Sequence, residues 1–286
     1  MAALPHCFIA PNDDLRDLSD DQLAGAAGNI EILSGFKAKL GSHQGANSIF
    51  DQIIEHARRF PAHYEDQCTA KYYFDLFNCI RDGYGEINRI VEVGVFMGGA
   101  SVVLAGCAKA FSLELDLVDT SARYLQFTYE RVRRCYPDAD LKIRLFHGDL
   151  PHYVRDVLSV EDKVRATVQH DGAHDFNQVV LDLASLYYVQ EKVRSIAIQD
   201  THLRGYPMNF NFVDAAVYAV FGYNVNFHAI GGHATEYENL LVNPNQYNGN
   251  YFLPDTAEGM HIPLALNTFA YPHPLIPFEM FFQDPA

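Results

Sequence analysis

The 286-residue chain predicts an α/β fold: a doubly wound, Rossmann-like, mostly parallel seven-stranded sheet with a helical N-terminal extension and an irregular C-terminal tail rich in proline and aromatics. Three observations predict it. From Arg89 onward, short apolar runs alternate with helix-length segments, the pattern of a parallel sheet covered on both faces. The first run passes through Gly94, Gly98 and Gly99 into the first of these helices, and glycine lets a backbone turn approach a ligand where a Cβ would collide. Later runs end in Asp, Gln and His, at the strand edge where such sheets bind ligands. The chain divides into an extension over 1–88 (lid, oligomerisation or substrate contacts), a cofactor-binding domain over 89–243, and a wrapping tail over 244–286.

Taken in order, Pro11 to Gly45 is acidic and glycine-punctuated, either a mobile lid or an oligomer arm. Ser48-Ile-Phe-Asp51 resembles a capping box, and Ile49, Phe50, Ile53, Ile54, Ala57 and Phe60 form a helical stripe behind it. A second helix spans Glu65 to Ile80, with Tyr72, Tyr73, Leu76, Phe77 and Ile80 on its core side. Strands follow near 90–95, 113–119, 141–147, 166–170 and 194–199, with helices near 99–110, 121–135, 150–158 and 174–190 between them. A further helix near 210–221 leads to strands near 223–230 and 237–243. Beyond Pro244, five prolines from Pro254 to Pro277 exclude a long helix, and the interleaved aromatics fit a tail that wraps its own domain or a neighbouring subunit.

Composition narrows the function. The 36 acidic against 21 basic residues give a net charge of -15, which repels phosphate backbones and argues against nucleic acid as a partner. No apolar run reaches membrane-spanning length, and the N-terminus lacks a basic region followed by an apolar one. A cytoplasmic protein acting on a small molecule is expected. The five cysteines form no Cys-x-x-Cys pair, and Cys107 and Cys135 read as buried thiols within helices.

Around the glycine turn, Arg89 to Ser101 reads Arg-Ile-Val-Glu-Val-Gly-Val-Phe-Met-Gly-Gly-Ala-Ser. A dinucleotide turn has Gly-x-Gly-x-x-Gly; here Gly-x-x-x-Gly-Gly follows an acid, Glu92, two residues earlier. Asp119 ends the next strand about twenty positions on, placed either to accept ribose hydroxyls or to cap the following helix. Asp149, after Phe146-His147-Gly148, can accept from an adenine amino group or cap a helix. The fourth strand ends in His170-Asp171-Gly172-Ala173-His174 and the fifth in Gln199-Asp200-Thr201-His202. Asp171, Gln199 and Asp200 make a hard oxygen set, suited to magnesium, manganese or calcium, that would bind a diol-like substrate. His174 is placed to take a proton from the reacting hydroxyl. Taken singly, each is ordinary turn or capping chemistry; jointly, at adjacent strand ends after a cofactor-type turn, they point to a site. Gly231-Gly232-His233, with Glu236 and Glu238 behind it, reads as a loop near the substrate pocket.

Glu92-x-Gly94-x-x-x-Gly98 resembles the first motif of class I S-adenosylmethionine (SAM) methyltransferases. Asp171-Gly172-Ala173-His174-Asp175-Phe176 and the later strand-end pair resemble metal-dependent O-methyltransferases of the macrocin O-methyltransferase and cephalosporin hydroxylase type, over roughly Arg89 to His202. The resemblance implies SAM as cofactor and methyl transfer to a hydroxyl of a sugar or related natural product. It places Glu92, Gly94, Gly98, Gly99 and Ser101 in the cofactor loop, Asp119 at the ribose, Asp149 at the adenine, and Asp171 beside the donor. It implies Asp171 and Asp200 as metal ligands, His174 as general base, and a homo-oligomer. Gln199 stands where the family has Glu, one negative charge fewer at the ion. Two other readings remain open: a metal-dependent hydroxylase or oxidoreductase on the same fold, and a SAM-binding scaffold that has lost its reaction.

Overall fold

The structure, a computed structural model, describes residues 6–26, 43–60, 68–205, 211–233, 251–274 and 276–282. It begins with strand β1 (Cys7–Ile9) and helix α1 (Asp20–Ala26), followed by α2 (Ser48–Ala57) and α3 (Ala70–Gly83). The apolar stripes of α2 and α3 are buried as their spacing predicts. The cap of α2 lies one residue earlier than Ser48: the Asn47 side chain accepts from the Ile49 and Phe50 N–H groups, and Asp51 accepts from Gly45. Asn and Ser are equally good N-caps, and here the extended backbone falls at Asn47.

The alternating region then runs β2 (Arg89–Val93), α4 (Gly99–Phe111), β3 (Glu114–Asp119), α5 (Ala122–Cys135), β4 (Ile143–His147) and α6 (Leu150–Tyr153), which continues as a π turn to Leu158. Next come β5 (Ala166–His170), α7 (Phe176–Ser185), β6 (Val193–Gln199), β7 (Leu203–Arg204), α8 (Val213–Phe221), β8 (His228–His233), β9 (Tyr251–Phe252) and β10 (Ala257–Pro263). The main sheet has the order β1-β4-β3-β2-β5-β6-β10-β8, and β7 pairs with β9 separately. Strands β4, β3, β2, β5 and β6 are parallel; β10 runs antiparallel between β6 and β8, and β1 antiparallel along β4. Successive strands are added outward from β2 on one side and from β5 on the other, so the order reverses between them. That reversal opens a crevice at the C-terminal strand ends.

Each face of the sheet has its own apolar core. Phe50, Tyr72, Phe77, Leu104 and Val132 belong to one, under α2 to α5; Tyr153, Leu183, Val217 and Ile262 belong to the other, under α6 to α8. Strand β2 is buried along its whole length, which is why its apolar run does not alternate.

Three expectations are corrected. The sheet has eight strands rather than seven, because Cys7–Ile9, within the extension expected to be helical, pairs with β4 and sets Phe8 edge-on against Phe146. The stretch after Pro244 is not wholly irregular: it supplies β10, whose Pro263 sits at the last strand position, where a missing N–H costs no ladder bond in the interior. Gly231-Gly232-His233 lies within β8 instead of a loop, and a Cβ on Gly231 would stand 2.5 Å from the buried Glu258 carboxylate. The strand expected near 237–243, with Glu236 and Glu238, falls outside the described residues, as do residues 27–42 of the proposed lid. Further along the tail, Phe269, Tyr271, Phe278 and Phe281 pack on the second core, so this part wraps its own domain. Among the described residues no helix is long and apolar enough to cross a membrane.

Candidate active site

The crevice is shaped first by a near-collision of two strand ends. Asp171 N–H donates to the Val93 carbonyl at 2.8 Å, extending the β2–β5 pairing past its last residue. Gly94 follows with φ +81°, and a Cβ there would lie 2.2 Å from the Asp171 carbonyl oxygen and 2.4 Å from Gly172 Cα. Only glycine fits. Gly98, at φ +76°, is the N-cap of α4 and packs against Thr128.

Two adjoining cavities open around this turn. The larger, about 520 Å³, is lined by Asp119, Tyr124, Gly148, Asp149 and Gln178 among others. The smaller, about 190 Å³, is lined by Cys68, Tyr73, Glu92, Met97, Gly99 and His174. Gly94, Phe96, Asp171 and Gly172 border both, making one two-lobed cleft. Another cavity, about 470 Å³, lies beside Arg194 at the start of β6 with His228 and His261, and contains none of these groups.

In the larger lobe the Asp119 carboxylate is held by backbone donors: Oδ2 accepts from Val95 at 2.9 Å and Oδ1 from Ser121 at 2.7 Å. Burial raises its pKa above the usual carboxylate value, and these N–H bonds partly offset that. Asp149 takes the capping role and also borders the cavity. It caps α6 by accepting from His152 N–H at 3.0 Å, bonds the His152 ring at 2.5 Å, and lines the cavity.

Glu92 at the floor of the smaller lobe is 1% exposed, and its Oε2 has no hydrogen-bond partner. Burial pushes its pKa well above the ordinary carboxylate value; the Ser101 hydroxyl opposes this, while Asp171 and Asp119 add to it. A raised folded pKa means that the stability it contributes is complete below 4.5 and is lost as pH climbs through the folded value. Glu92→Gln is therefore expected to gain on the order of 1 kcal/mol in urea unfolding at pH 7.5 and nothing near pH 4. Equal gains at both pH values would remove the buried carboxylate as the cause.

The catalytic candidates meet at the other wall of this lobe. His174 Nε2 lies 3.1 Å from Asp200 Oδ2 and 3.5 Å from Asp171 Oδ1. These three groups have ligand atoms close enough to hold one metal ion. Asp200 is nearly buried at φ +64°, a left-handed conformation that costs a non-glycine residue energy. Burial alone would lower the His174 pKa, yet Asp200 and Asp171 outweigh it and hold the imidazolium up to about 9. Burial raises Asp200, with the charge of His174 acting against it. Gln199 is buried with Oε1 lacking a hydrogen-bond partner, beside Asp200.

Of the residues singled out in the sequence, Glu92, Gly94, Gly99, Asp119, Asp149, Asp171 and His174 line the cleft. Gly98, Ser101, Gln199 and Asp200 support it from behind without lining either lobe. His174 precedes α7 by two residues, because Asp175 is the helix cap. Sequence reasoning missed Cys68 and Tyr73, brought in by α3, and Phe96 and Tyr124, whose rings meet edge-on at 5.3 Å over the larger lobe. It also missed Glu258, which accepts from Thr69 N–H at 2.8 Å and ties the start of α3 to β10 behind Asp200.

No protein-family model matches the chain, and no curated protein does. Solved structures are similar at low identity. One is the O-methyltransferase of Bacillus cereus in complex with SAH, at 15% identity and TM-score 0.37, with 54% of this chain and 67% of that one covered. Another is the SAH-bound methyltransferase PaMTH1 of Podospora anserina, at 14% and 0.40, covering 68% and 73%. A third is the O-methyltransferase TomG of Streptomyces achromogenes, involved in tomaymycin synthesis and complexed with SAM, at 13% and 0.36, covering 54% and 66%. The chain spans about two thirds of the length of the structures from Bacillus cereus and Streptomyces achromogenes.

Proposed function

We propose that this chain is a SAM-dependent O-methyltransferase acting on a hydroxyl of a small polyhydroxylated or glycosylated molecule. The observation that carries this reading is the two-lobed cleft at the sheet's reversal point, with a fixed carboxylate, Asp119, in the larger lobe and an acid–histidine cluster beside the smaller. A nucleoside suits the larger lobe: Asp119 would accept from ribose hydroxyls, and Tyr124 and Phe96 offer ring surface. The buried Glu92 suits the ammonium group at the amino-acid end of the donor, since a carboxylate deprived of water gains most from an incoming cation. The reaction passes the sulfonium methyl to an acceptor oxygen, which must lose its proton. His174 would take that proton at Nε2, and the rigid strand ends would align the acceptor, the usual protein share of such a transfer.

Asp171, Asp200 and the unpartnered Oε1 of Gln199 fit a hard divalent ion such as magnesium. When bound, the ion would acidify the acceptor hydroxyl. Asp171 and Asp200 would then have their charge neutralised, and His174 would release its proton nearer neutral pH. The homo-oligomer implied by the resemblance remains part of this reading, as does a cytoplasmic location.

The deciding experiment is calorimetric titration of the full chain with SAM and SAH, followed by a screen of hydroxylated acceptors for SAH release. Asp119→Asn is expected to weaken SAH binding by about 10- to 100-fold, the range for losing a charge-assisted hydrogen bond. An unchanged affinity would detach Asp119 from the donor. Tight SAM binding with no acceptor would favour the scaffold reading.

A further inference from the structure

A second cluster of metal-ligating side chains lies at the rim of the larger lobe, away from Asp171 and Asp200. Strand β1 pairs with β4 so that Cys7 faces His147, which sets His6 opposite Gly148 and next to Asp149. A Cβ on Gly148 would stand 2.7 Å from the Phe146 ring and 3.2 Å from His6 Nδ1, so the glycine leaves room for both rings. One turn into α6, His152 stacks on His6 with ring centroids 3.2 Å apart and planes 8° from parallel, and the edge of Phe282 closes against His152. His6, Asp149 and His152 present ligand atoms within 4.8 Å of one another. His6 Nδ1 is buried without a hydrogen-bond partner. All three residues are half-buried, which leaves a route for an ion from solvent.

We propose that His6, Asp149 and His152 form a binding site for a borderline divalent cation of the zinc class. Two imidazoles and one carboxylate select such ions over magnesium or calcium, which prefer all-oxygen sets, and three protein ligands leave a position for water. A bound ion would give the orphaned His6 nitrogen a partner and pin the short β1 to the start of α6. The edge strand of three residues is also held by its ladder bonds, the Phe8–Phe146 contact and the Arg144 guanidinium over the Phe8 ring. None of this depends on the methyl-transfer reading.

The test uses the full chain, stripped of metal with a chelator and titrated with zinc chloride by calorimetry. Because zinc can also enter at Asp171, His174 and Asp200, the titration is repeated in Asp200→Asn, which keeps the rim cluster intact. The expected result is one zinc bound in Asp200→Asn with micromolar or tighter affinity, weakened at least about tenfold by adding His6→Gln or, separately, His152→Gln. Cobalt(II) should give a visible absorption band that the same two changes abolish, and zinc should raise the melting temperature only while both histidines are present. Zinc binding that is absent in Asp200→Asn, or unchanged by both glutamine substitutions, would overturn the site. Circular dichroism of the two variants checks that each remains folded.

Discussion

His174→Ala is expected to lower the rate of SAH release with any accepted hydroxyl substrate by about 10²- to 10⁴-fold, the range for removing a general base, while SAH affinity stays the same. The fold should survive, because His174 is half-buried, precedes α7, and leaves the Asp175 cap in place. The pH profile separates this role from mere packing. Burial lowers the His174 pKa, but Asp200 and Asp171 more than reverse that and keep it protonated to about 9 in the protein alone. A proton-loaded imidazolium cannot act as a base. Chelator-treated enzyme should therefore gain rate as pH rises toward 9, whereas saturating magnesium should move that rise toward neutrality as the charge of Asp171 and Asp200 is neutralised. His174→Ala should show neither limb. Wild-type turnover in the variant would end the assignment, and a pH profile unchanged by magnesium would separate the base from the ion.

What the sequence made legible was local. The run from Ile90 to Val95, its glycines and the following helix declare a strand, a turn and a ligand edge through spacing alone, and Asp119, Asp149 and Asp171 follow at ends of periodic segments. The cleft uses those positions. Partners that arrive from far along the chain were not legible. Cys68 and Tyr73 reach the smaller lobe only because α3 packs across α4, and Glu258 reaches Thr69 only because β10 inserts between β6 and β8. No periodicity records such a meeting. β1 escaped notice because three residues cannot show alternation, and β10 because nearby prolines read as a breaker when they sit at the strand's margin. Asp149 shows a subtler limit. Its capping role is in place, and the same carboxylate also lines the cavity, so the cap does not take it out of the site.

Among the described glycines, Gly94→Ala should be the most damaging single added methyl group. Two costs combine. A non-glycine residue at φ +81° sits in left-handed backbone, worth roughly 1–2 kcal/mol. The added Cβ would then stand 2.2 Å from the Asp171 carbonyl oxygen and 2.5 Å from its carbonyl carbon, both backbone atoms that no rotamer change can move. Ordinary contact requires the end of β5 to retreat by about 1 Å, against the bond from Asp171 N–H to Val93 and the packing of the strand. With strain and displacement together costing about 3 kcal/mol, the melting temperature should fall by roughly 5 °C. Function should fall further than stability. Asp171 borders both lobes and lies 3.5 Å from His174, so its displacement would disturb the donor cleft and the reacting cluster together, and SAH binding should be lost. Gly98→Ala is the control: it shares the left-handed backbone, at φ +76°, but the nearest atoms its Cβ would meet belong to the Thr128 side chain, at 2.9 Å, and not to backbone. It should cost less in melting temperature and leave measurable SAH affinity. If Gly94→Ala melted and bound SAH like the wild type, the close approach of β2 and β5 would not be what shapes the cleft.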